Sequence, residues 1–121
     1  MSFSISLVED QSLIRAELRE ALTPEIVTDF FSQLQQQIET HQVTRLLTDA
    51  SKAIFEIPLE EFRLIPSKMR DGGFPSNIKR AIVVGTEMES FKLWENLLVS
   101  EGYYQVKLFW EENKALEWLN D

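Results

Sequence analysis

The sequence contains no cysteine and one histidine, His41, among its 121 residues. The first absence removes disulfides, thiol nucleophiles and cysteine metal sites. The second leaves His41 without the partners that a catalytic or metal-binding imidazole needs, so a surface or helix-cap role is expected for it. No glycine-rich phosphate loop, H-E-x-x-H pair or G-x-S-x-G elbow occurs. No apolar run approaches the ~20 residues needed to span a bilayer. The first ten residues, MSFSISLVED, lack the basic and long apolar regions of a signal peptide, so the expected compartment is the cytoplasm. Linkers, low-complexity segments and internal repeats are missing too. Together these absences argue against an enzyme, a metal site or a bound cofactor.

What is present suits one globular domain over residues 1–121. Hydrophobic residues make up 44% and charged residues 26% of the chain, a composition unlike that of disordered segments. A domain of this length buries roughly two-thirds of its unfolded surface, enough to fold without staples. The net charge of −8 opposes general attraction to nucleic acid or anionic lipid. That charge is uneven. Glu87 to Asp121 carries eight acids and three lysines, whereas Arg63 to Arg80 carries five basic residues against Asp71 alone.

Periodicity assigns the elements. Phe3 to Val8 alternates as a half-buried strand, and Ser12 to Leu18 follows across a polar junction as the second arm of a hairpin. Thr23-Pro24-Glu25 opens a helix with a cap, a proline at the first position and an acid in the first turn. Its apolar stripe is Ile26, Val27, Phe30, Phe31, Leu34 and Ile38. Arg45 to Asp49 reads as a short buried strand. Pro58 to Ile65 reads as a helix stopped by Pro66, with Leu59, Phe62 and Ile65 inward. A loop follows through Gly72-Gly73 and Pro75-Ser76-Asn77. Ile78 to Gly85 is a central strand covered on both faces. Thr86 to Glu89 matches a capping box and opens a helix with Met88, Phe91, Trp94, Leu97 and Leu98 inward, ended by Gly102. Tyr104 to Phe109 is the last strand and Glu111 to Leu119 the last helix. The order β-β-α-β-α-β-α-β-α implies an α/β fold with a mixed, mostly parallel five-stranded sheet and four helices.

With RLLTDAS in the third strand, IKRAIVVG in the fourth and VKLFWEENKALEWL at the end, the chain resembles SpoIIAA-like, STAS-type proteins. The resemblance spans essentially the whole chain. It implies a mixed five-stranded sheet with helices, an architecture shared with anti-sigma-factor antagonists and some lipid-binding domains. In the antagonists a serine at the start of the second helix is a phosphorylation switch. The corresponding stretch here is Glu56-Ile57-Pro58-Leu59, which has no hydroxyl, and Ser51 is assigned to the preceding loop.

Three candidate sites follow. Ligands of parallel α/β sheets favour the crevice beyond the carboxyl ends of the strands, where Asp49, Ser51, Lys52, Gly85 and Thr86 are expected to meet. The same residues also suit plain turn, cap and loop roles. Lys68, Arg70, Lys79 and Arg80 flank the double glycine and form a basic loop able to grip an anion, or simply to keep the chain soluble. Trp110 follows Phe109 at a strand end, so the two cannot both point inward, and Trp110 is a candidate contact residue. The leading expectation is a non-catalytic regulatory or protein-interaction module that binds a protein partner or its own copy. The alternative is a carrier or sensor of a small anionic or apolar ligand, such as a nucleotide or lipid, held at the Asp49–Gly85 edge or in an apolar cavity beneath a helix.

Overall fold

A computed structural model describes residues 2–121. Its elements are β1 (Phe3–Val8), a 3-10 turn (Glu9–Gln11), β2 (Leu13–Leu22), α1 (Pro24–His41), β3 (Arg45–Phe55), α2 (Leu59–Asp71), β4 (Lys79–Val83), α3 (Met88–Ser100), β5 (Val106–Phe109) and α4 (Glu112–Leu119). The five strands lie in chain order, β1 to β5, across one sheet. The β1–β2 hairpin is antiparallel, and every later pair is parallel. This is the mixed α/β sheet that the order of elements implies.

Local chemistry places α1 as expected. The Thr23 hydroxyl oxygen accepts from the Ile26 amide at 3.3 Å, and Pro24 fills the first turn, where no amide donor is missed. Val27, Phe30, Leu34 and Ile38 are buried on one stripe. His41 ends the helix and pairs on the surface with Gln37. At the end of α3, Gly102 adopts φ +96°, the left-handed turn that glycine enters without a Cβ clash.

The sheet is covered unequally. α1, α2 and α3 bury one face in a large cluster that includes Ile14, Leu18, Leu34, Leu46, Ile82, Phe91, Trp94 and Leu98. The other face has a small cluster of Leu13, Leu47, Ala81, Val83, Ala115 and Leu119 under α4. α4 is only eight residues long, and charge holds it at both ends. Arg15 reaches Glu112 in its first turn at 2.6 Å. Lys79 Nζ donates to the Trp118 carbonyl at 2.6 Å, and Arg45 bonds Asn120, so cations sit where the helix presents free carbonyls.

The structure corrects five local expectations. β3 does not stop at Asp49. It runs eleven residues to Phe55, because β2 continues alongside it from Arg19↔Lys52 to Leu22↔Phe55, past the end of β4. Pro66 does not end α2. The proline is fully buried inside a helix that continues to Asp71, so core packing offsets the lost backbone bond. Leu59, expected inward, is 54% exposed in the first turn of α2. The Thr86–Glu89 capping box does not form, since α3 starts at Met88 with no side-chain cap. Glu87 instead accepts from the Phe55 amide at 2.6 Å, tying the start of α3 to the end of β3. Finally, the basic residues are not on one loop, as described below.

Candidate functional site

A groove of about 310 Å³ lies between α1 and α2. α1 contributes Val27, Thr28, Phe31 and Gln35, while α2 contributes Ile65, Lys68 and Met69, with Phe74 between. The residues are mostly apolar, with Glu61 and Lys68 supplying charge. This chemistry suits a hydrophobic small molecule with a polar end. Phe31 stacks on Trp94 at 5.7 Å and meets Phe74 edge-on at 5.9 Å, which stiffens this wall.

A second, inner cavity of about 50 Å³ lies among the sheet, α1 and α3, bounded in part by Leu18, Thr48, Arg80, Ile82 and Trp94. Val27 and Phe31 border both spaces. Their inner position follows from helical spacing, since residues four apart share a face.

Arg80 is the unusual residue here. It is 3% exposed, and its guanidinium packs against two rings, 4.6 Å from Phe74 and 4.7 Å from Tyr103. Its Nε and Nη2 have no hydrogen-bond partner among the described residues. Burial pushes its pKa down to about 10, with the attraction of Tyr103 acting the other way. Tyr103 donates its hydroxyl to the Phe74 carbonyl at 3.0 Å, and burial pushes its pKa up.

The sequence candidates are dispersed. Asp49 Oδ1 accepts from the Ser51 amide at 3.1 Å and from its hydroxyl at 2.7 Å. Its other oxygen lies 3.5 Å from Arg15. That arginine also contacts Glu17 and Glu112, and the hydrogen bond to Glu112 chiefly raises its pKa. Ser51 and Lys52 belong to β3 rather than to a loop beyond it. Gly85 packs on that strand so closely that a Cβ would stand 2.2 Å from the Ser51 carbonyl oxygen. The approach this glycine permits is therefore to backbone, and Thr86 lies in the turn before α3 without capping it. None of these five residues lines the groove or the inner cavity.

The basic residues separate for a simple reason: neighbours on a strand point to opposite faces. Lys79 faces α4, 4.5 Å from the Trp118 ring centroid, while Arg80 enters the core under the other helices. Lys68 and Arg70 lie in the last turns of α2, where Arg70 pairs with Glu101 at 2.6 Å and only Lys68 reaches the groove. Trp110 is 64% exposed just beyond the edge strand β5. Val27, Phe31 and Ile65 were missed as site residues because their spacing is that of core stripes, and Met69 and Phe74 because they lie beyond Pro66, where the helix was expected to end. A gap between two helices leaves no mark in such a pattern.

Among the described residues, no group of three His, Cys, Asp or Glu side chains is placed to hold a metal ion. No helix among them is long and apolar enough to cross a membrane.

No protein-family model matches the sequence, and no curated protein matches it. Solved structures do. An uncharacterised protein of the DUF3478 family with a SpoIIAA-like fold, from Shewanella loihica PV-4, superposes with a TM-score of 0.66 at 17% identity, covering 98% of this chain and 94% of the other. The phosphorylated Bacillus cell fate determinant SpoIIAA superposes with a TM-score of 0.54 at 14% identity, covering 95% of this chain and 96% of the other. Residues 57–59, which open α2 here, are Ile, Pro and Leu, without a hydroxyl. At these identities the likeness establishes architecture, and the chain adopts a SpoIIAA-like, STAS-type fold.

Proposed function

We propose that this domain is a non-catalytic binding module whose ligand is a small apolar molecule held between α1 and α2. One observation carries the reading: an apolar groove of about 310 Å³ opens between two helices of a small domain, beside the stacked pair Phe31 and Trp94. The Asp49–Gly85 edge, Lys68 and Arg70 are secondary parts of the proposal at most, since Asp49 and Arg70 already have partners. The test is binding of 1-aminoanthracene, a neutral fluorescent probe. Its emission should rise on mixing with the wild-type protein and stay flat with Thr28→Trp, which fills the groove from an exposed position. No rise with the wild-type protein refutes this reading.

A protein-contact role is the second reading, supported by the exposure of Trp110 and of Tyr104, at 64% and 73%, on either side of edge strand β5. The partner is a second copy of the chain or another protein, and regulation would be exerted through that contact. Sedimentation should then show association that weakens in Trp110→Ala. A wild-type protein that stays monomeric, with no partner whose affinity Trp110→Ala lowers, removes the residue from consideration.

A further inference from the structure

We propose that Arg80 is the anion receptor of this site, and that the ligand is a single-chain carboxylate whose head enters the inner cavity while its hydrocarbon tail lies in the groove. The inference rests on the groove reading and adds a headgroup chemistry to it.

A buried cation without a partner is costly, and folded proteins pair such groups or neutralise them. Arg80 has no salt bridge among the described residues, and its two unpartnered atoms are Nε and Nη2. Those two nitrogens form the side edge of the guanidinium, which presents two parallel N–H bonds. That edge matches the two oxygens of one carboxylate in a bidentate pair. The rings of Phe74 and Tyr103 pack against the guanidinium and hold it in place, while its Nε and Nη2 are buried without a partner among the described residues.

Arg80 borders the inner cavity together with the buried Thr48, whose hydroxyl is a further polar group on that wall. Leu46 pairs with Arg80 and Thr48 with Ile82 across β3 and β4, so all four side chains face the same side. The cavity of about 50 Å³ is close to the space of one small planar group. Val27 and Phe31 line both the inner cavity and the groove. The groove, at about 310 Å³, accommodates about ten water-sized groups at ~30 Å³ each, the scale of a medium-length alkyl chain. A carboxylate reaching Arg80 therefore leaves its tail among Val27, Phe31, Ile65 and Met69.

The experiment is calorimetric titration of the full chain with octanoate, octan-1-ol and octylammonium. Octanoate should bind at least about tenfold more tightly than octan-1-ol, with octylammonium weakest, because only the carboxylate makes charge-assisted bonds to Arg80. Arg80→Met, which fills similar space without charge, should reduce octanoate to the level of octan-1-ol. Lys68→Met should leave the ranking intact. Equal binding of octanoate and octan-1-ol by the wild-type protein overturns the proposal while leaving the groove reading standing. Loss of the preference in Lys68→Met overturns it by placing the head at the groove mouth. Absence of binding by all three compounds, with no 1-aminoanthracene signal, overturns both. Should Arg80→Met fail to fold, the Arg80 Nε–H resonance decides. It should move on adding octanoate and stay unmoved with octan-1-ol, and an unmoved resonance with octanoate rejects the assignment.

Discussion

Gly85 lies where β4 has just ended, against a stretch of β3 that has lost its β4 neighbour. Replacing it with alanine would place the new Cβ 2.2 Å from the Ser51 carbonyl oxygen, 3.0 Å from its carbonyl carbon and 3.1 Å from its Cα. Favourable carbon contacts lie near ~3.5 Å or beyond, so about 1 Å of backbone movement is required. The obstacle is main chain, not a flexible side-chain tip. Moreover, Asp49 holds Ser51 through two hydrogen bonds and is itself engaged by Arg15. Overpacking a rigid site costs about 1–3 kcal/mol and occasionally more. We expect the upper end, about 3 kcal/mol. For a chain of this length that corresponds to a fall in Tm of roughly 10 °C or more. Urea unfolding followed by tryptophan fluorescence, to which the buried Trp94 contributes, should show a lower midpoint at an unchanged slope. Gly102→Ala is the control. Nothing lies within 4 Å of its Cβ, so its cost comes only from φ +96° and should be about 1 kcal/mol. A loss below about 1 kcal/mol in Gly85→Ala would show that Ser51 yields freely and that the close approach does not constrain the sheet.

Three further outcomes are expected. Leu34→Ala, at a fully buried position on α1, should cost about 2–5 kcal/mol in the same urea assay, whereas an exposed-site loss under 1 kcal/mol would contradict its place in the core. Arg15→Met leaves Asp49 and Glu112 without their cation and Glu17 with Arg19 alone; the loss should be about 1 kcal/mol and shrink in high salt, and a salt-independent loss would argue against this ion-pair cluster. Burial lowers the folded pKa of Arg80 from that of a free guanidinium to about 10, so its buried charge destabilises the fold fully below pH 10 and less as pH rises above it. The unfolded chain then holds more protons than the folded one, so wild-type stability should rise relative to Arg80→Met between pH 10 and 12; a flat difference would show that the guanidinium is solvated.

Much of the fold was legible in one dimension because the signals were local. Thr23-Pro24 marks the start of α1, Gly102 the end of α3, and the apolar run after Ile78 a strand covered on both faces, which the structure limits to Lys79–Val83, since caps, left-handed turns and burial patterns depend on a few adjacent residues. The alternation of strands and helices then implied the parallel sheet, and the hairpin its antiparallel edge. Contacts between distant segments decided the rest. β3 extends to Phe55 because β2 extends with it, Pro66 is tolerated because the core receives it, and Gly85 serves the backbone of Ser51 rather than a ligand. Adjacent basic residues, Lys79 and Arg80, read as one patch in the chain but end on opposite faces of the sheet. The groove itself is a gap between α1 and α2. Composition and spacing specify which faces turn inward, while only the packing of whole helices determines where they fail to meet.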